Sequence, residues 1–145
     1  MTRKQKGRFK DKHPQGTTVD PRIIPALGQL AEDLAITCDG AHTVARTLGV
    51  PPKEVGTALD LQEGRIHKCQ LGLFGYGKRG KMVKAAESVG PNVQSAIEQA
   101  QDHKRCLSCA QAWHIADTLS MPRLAIANAC EALGVKIIDC QLGAF

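Results

Sequence analysis

Six cysteines and five histidines have the widest chemical reach in this chain of 145 residues. Cys106-Leu-Ser-Cys109 has the two-residue gap of zinc and dithiol motifs. A structural zinc site wants four ligands, and no second close Cys or His pair accompanies this one. Cys38, Cys69, Cys109 and Cys140 could in principle gather instead, with Cys106 and Cys130 outside the set. Strand alternation, however, puts Cys69 on one face with Leu71 and Leu73, and Cys140 on one face with Ile138 and Leu142. That is the placement of a small buried hydrophobe. The reading is therefore thiols used for packing and no cofactor. Zinc or iron held by Cys106, Cys109, Cys38, Cys69 and Cys140, or thiol redox chemistry, is the alternative.

His13, His42, His67, His103 and His114 are dispersed and form no ligand or catalytic set. There is no phosphate-loop glycine motif, no serine nucleophile elbow and no Glu/His zinc pair. The glycines of residues 75–80 lack the strand-to-helix context and the Lys-Ser/Thr ending of a phosphate loop. No enzyme is expected.

The cations offer a different chemistry. Arg3, Lys4, Lys6, Arg8, Lys10 and Lys12 face a single Asp11, so residues 1–12 carry the whole net charge of +5. The rest of the chain is neutral. A second basic run has Arg65, Lys68, Lys78, Arg79, Lys81 and Lys84 with no acidic residue between them. Gly75, Gly77 and Gly80 lie within it, between two β-compatible runs, and suggest a hairpin tip. Lys and Arg on such a tip would neutralise phosphates and release counterions. The plainer alternatives are a solvated hairpin and a solubilising tail. Aromatics make up 3% of the chain, too few for a base-stacking platform.

The elements that must position these residues occur twice. A shift of 71 residues aligns Thr37–Phe74 with Ser108–Phe145 without a gap, and thirteen of the 38 pairs are identical. Both copies end in Cys-Gln-Leu-Gly-x-Phe. In the second, Asn92–Arg105 has helical spacing, and Ser108 with Gln111 forms a capping box for a helix to about Leu119. Pro122 suits the first turn of a further helix, which carries Ile126, Ala129 and Leu133 and stops at Gly134. Val135–Phe145 reads as a strand. The first copy predicts helices near Pro25–Ala35, Gly40–Leu48 and Pro52–Gln62, then a strand near Ile66–Phe74.

Ala45, Gly49, Val50, Val55 and Ala58 fall at the contact, turn and inward positions of a steeply crossed helical pair. Ala116, Ser120, Met121, Ile126 and Ala129 repeat those positions, with Ser120 in place of the turn glycine. Each pair resembles the helix-turn-helix of prokaryotic DNA-binding regulators, in particular the winged kind with a strand after the second helix. The resemblance implies an α-rich α+β fold of two tandem helix-turn-helix (winged-helix-like) units related by internal duplication. The implied layout is a flexible basic arm over 1–20, a first unit with a candidate wing over 21–87 and a second unit over 88–145. It also implies a transcriptional regulator or chromosome-associated factor that binds duplex DNA, with RNA open, as a monomer or homodimer.

Base readout needs donors and acceptors on the outward face of the second helix. Lys53, Thr57, Arg123 and Asn128 are the candidates, although Glu54, Asp60, Glu63 and Glu131 stand near them and would repel phosphates. Those acidic residues support the rival reading, a protein-docking module. The cysteines support the other rival, a metal or redox sensor. No apolar run approaches the ~20 residues that cross a bilayer, and no signal peptide is evident, so a cytoplasmic protein with no membrane partner is expected.

Overall fold

Thr37 and Ser108, 71 residues apart, each begin a helix. The computed structural model describes residues 9–30 and 33–145. In it the Thr37 hydroxyl accepts from the Gly40 amide at 2.9 Å. Ser108 accepts from the Gln111 amide, and the Gln111 side chain accepts from the Ser108 amide in return, completing the capping box. Each cap satisfies donors the helix leaves open, worth about 1 kcal/mol.

The fold is helix-rich with a few short strands. It comprises α1 (Ile23–Leu30), β1 (Ala35–Thr37), α2 (Cys38–Leu48), α3 (Pro52–Leu61) and β2 (Arg65–His67), then α4 (Pro91–Ala100), β3 (Cys106–Ser108), α5 (Cys109–Thr118), α6 (Arg123–Leu133) and β4 (Lys136–Ile138). Single 3-10 turns form at Phe9–Lys12 and Gly77–Arg79. Each strand before a cap pairs in parallel with the strand after the second helix, Ile36 opposite Ile66 and Leu107 opposite Ile137. These two-stranded ladders close each helical pair at its base.

The tight α2–α3 connection depends on Gly49, whose φ of 67° lets its amide reach back to the Ala45 and Arg46 carbonyls. Ser120 holds the matching place before α6 at φ 52°. Gly134, at φ 68°, ends α6.

Two compact units result. One contains residues up to His67 with Leu142–Ala144, and the other contains Lys68–Gln141 with Phe145. Leu71 is fully buried in the second unit's core with Leu107, Ile126 and Ile97. Its counterpart 71 residues on, Leu142, is 2% exposed in the first unit. There its backbone crosses Gly56 of α3, where a Cβ would collide with the Leu142 carbonyl. Each core therefore receives a leucine from the other half of the sequence.

Several expectations need correction. The Cys-Gln-Leu-Gly segments are turns, not strands. The Gly72 amide bonds the Cys69 carbonyl at 2.8 Å, and Gly72 and Gly143 take φ of 74° and 77°, which an extended strand cannot contain. Cys69 is buried as alternation proposed, but Cys140 is half-buried. The basic segment forms no β-hairpin wing, because β2 ends at His67 and pairs with β1, and a 3-10 turn occupies Gly77–Arg79. The helix expected to reach Arg105 ends at Ala100. Beyond it the Asp102 carboxylate takes the Lys104 and Cys106 amides in an Asx turn. In sequence the first unit gives way to the second at His67/Lys68.

Candidate functional site

The second basic run is held by backbone bonds that leave its side chains to solvent. Met82 and Val83 both donate to the Gly72 carbonyl, Lys68 donates to Gly75 and Cys69 to Phe74. The Tyr76 hydroxyl donates to the Cys69 carbonyl. Between these ties Gly75, Gly77 and Gly80 adopt φ of 87°, 62° and 70°, turning the chain sharply. Lys68, Lys78, Arg79, Lys81 and Lys84 are all exposed, and none is in an ion pair with a described residue. Arg65, in the first unit, is exposed likewise. The result is a glycine-shaped loop of exposed cations on a pinned base, suited to an extended array of negative charge.

The second helices are less available. In α6 the Arg123 guanidinium lies 3.5 Å from the centroid of the Trp113 ring. It also donates to the Gln70 side chain at 3.3 Å and sits 3.9 Å from the Asp117 carboxylate. Asn128 accepts the Lys84 amide on its side-chain oxygen at 2.9 Å and the Ala86 amide on its carbonyl. Both candidate readers of α6 are thus committed to intramolecular bonds, and Asn128 lies under residues 84–86. On α3, Lys53 is exposed and Thr57 returns its hydroxyl to the Lys53 carbonyl at 3.0 Å.

The arm divides in two. Arg3, Lys4, Lys6 and Arg8 lie outside the described residues. From Phe9 to His13 the chain is docked at the end of α3, within the stretch expected to be a flexible arm over 1–20. The Glu63 carboxylate accepts the Phe9 amide at 2.9 Å and the Lys10 amide at 3.3 Å. Asp60, only 8% exposed, takes Lys12 Nζ at 3.1 Å and His13 Nε2 at 2.8 Å on the same oxygen. Lys12 also lies over the Phe9 ring and donates to the Gly143 carbonyl. Lys12 is thus a structural cation; Lys10 remains exposed. Sequence reasoning missed this docking. Its one local signal was a charged Asp60 directly after the buried Ala58 and Leu59.

The thiols are arranged for packing. Cys38, Cys69, Cys109 and Cys130 are buried, and Cys106 and Cys140 half-buried. Burial pushes the Cys69 and Cys109 thiols up and takes Cys130 to about 11, so at neutral pH these are protonated thiols and poor nucleophiles. Cys106 and Cys109 make separate contacts, Cys106 Sγ to the Lys104 carbonyl and Cys109 Sγ to the Gln141 amide. Among the described residues no group of three or more His, Cys, Asp or Glu could hold a metal ion.

A largely apolar groove of about 370 Å³ in the first unit is lined by Ile24, Leu27, Gly28, Leu34 and Leu59 together with Asp33 and Gln62. Ile24 and Leu34 on its rim are 40% and 54% exposed. No helix among the described residues is long and apolar enough to cross a membrane. Comparison with protein-family models, with curated proteins and with solved structures gives no match.

Proposed function

We propose that this protein binds nucleic acid, with duplex DNA the favoured partner, through the cationic loop and the N-terminal arm. In this reading the two β-α-α-β series, set 71 residues apart, are helix-turn-helix units derived by duplication, and the chain serves as a transcriptional regulator or chromosome-associated factor. The observation that carries the reading is the loop. Five exposed cations, none paired with a described residue, occur in a stretch without one carboxylate, on a backbone pinned at Gly72 and Cys69. Lys and Arg spread over protein surfaces commonly sit beside acidic residues; a segregated set creates a positive potential that attracts polyanions. Arg123 and Asn128 are engaged within the chain, so binding through phosphates, with little base readout, follows. Lys53 is the remaining candidate reader.

Replacing Lys78, Arg79 and Lys81 with glutamine tests this. Anisotropy titration against a random duplex at several salt concentrations should show weaker binding and a salt slope reduced by about 2 to 3, since each phosphate contact contributes about 0.9. An unchanged slope removes the loop from the interface.

A second reading has one observation in its favour. The groove rimmed by Ile24 and Leu34 exposes apolar surface that a docked peptide would cover. A pull-down lost on Leu34→Glu but kept in the loop variant would favour a protein partner.

A further inference from the structure

Helix α6 is the second helix of the second unit, yet from Arg123 to Cys130 it presents no exposed residue. A base-reading helix needs a free outward face. Here the side chains of Arg123, Leu124 and Asn128 hold the two ends of the cationic loop instead. At the entry, Arg123 donates to the Gln70 side chain at 3.3 Å. Leu124 packs so closely on Gly72 that a Cβ there would come within 2.5 Å of it. At the exit, Asn128 takes the Lys84 amide on its side-chain oxygen at 2.9 Å and the Ala86 amide on its carbonyl at 3.0 Å. The Gly72 carbonyl joins the two ends by accepting the Met82 and Val83 amides. Lys78, Arg79 and Lys81 are therefore carried between two points fixed on one helix.

Resting on the nucleic-acid reading above, we infer that Asn128, and Arg123 through Gln70, are positioning residues for phosphate binding: α6 is the platform of the loop, not a reader of bases. A loop whose cations are already fixed loses little conformational entropy when it meets a polyanion, whereas a free one must be ordered on binding. The Asn128 side chain is neutral and its oxygen is engaged by Lys84, so its removal takes away no phosphate contact. What is lost is one hydrogen bond that orders the loop exit, about three- to five-fold in affinity for a typical net hydrogen bond. The salt slope, which counts the phosphates engaged, stays where it was. A base reader behaves differently, since its loss weakens one sequence far more than another.

The test is binding of the full chain to two unrelated duplexes across salt concentrations, with amide exchange measured alongside. Asn128→Ala should bind both duplexes about three- to five-fold more weakly, with their ratio and the salt slope unchanged. That loss should vanish in a chain carrying Lys81→Gln and Lys84→Gln, where Lys68, Lys78 and Arg79 still engage the duplex; a loss from general unfolding would persist there. Without nucleic acid, exchange of the Lys84 amide should quicken in Asn128→Ala and stay slow in Asn128→Asp, which keeps the acceptor oxygen. Gln70→Ala, which releases Arg123 from the loop entry, should weaken both duplexes alike and decides the question if Asn128→Ala does not fold. Wild-type binding with a loss confined to one duplex, or with no loss in either variant, overturns the positioning role alone. Wild-type protein that binds no duplex overturns the nucleic-acid reading and the positioning role with it.

Discussion

Ser120 occupies a left-handed conformation at φ 52° that its counterpart Gly49 adopts without a Cβ. The side chain is exposed and makes no compensating hydrogen bond to its own turn among those described, so the backbone cost stands unrelieved. An L-residue in this region costs about 1 kcal/mol or more relative to glycine. Ser120→Gly should therefore stabilise the second unit by about that amount, a rise of several degrees in its melting temperature for a unit of this size. No rise, or a fall, would mean that Ser120 is held by something the turn geometry does not reveal. The turn was legible because Gly49 and Ser120 act on their own neighbours, as do Ser108 and Gln111. Asp60 and Glu63 were read as liabilities because their partners lie 47 to 54 residues away in sequence. The partners of Arg123 and Asn128 were illegible for the same reason: Gln70 and Lys84 belong to another segment.

At the scale of elements, helices α2, α3, α5 and α6 follow from apolar spacing and from their caps. Of the strands, β2 and β4 fall at the start of the runs predicted for them and stop after three residues, while β1 and β3 gave no signal. Three residues are too few for alternation to show, and a parallel pairing joins segments some thirty residues apart. The Cys-Gln-Leu-Gly run alternates apolar and polar side chains as a strand would, yet its glycines turn it. Its consequence lies in where Leu142 goes. Leu142→Ala should cost about 2 to 5 kcal/mol, as for other fully buried leucines. Although it follows the second unit in sequence, the loss should fall on the first unit. Gly56→Ala should act there too, by displacing the Leu142 backbone. Amide exchange would quicken in α2 and α3 for both variants. Quickening confined to α5 and α6 would show that Leu142 supports the second unit instead.

Across the whole molecule, charge is partitioned rather than balanced. The described part of the arm spends Lys12 on Asp60, while none of the five cations from Lys68 to Lys84 forms an ion pair with a described residue. Nucleic-acid binding, if the loop and arm provide it, has to be strongly salt-dependent and nearly indifferent to sequence. The most direct measurement is therefore the affinity of the full chain for two unrelated duplexes across a series of salt concentrations. Engagement of about five phosphates predicts that log K falls with log salt at a slope near −4 to −5, with the two duplexes within a few-fold of each other. Absence of binding at about 50 mM salt, or binding whose strength does not change with salt, would contradict the account.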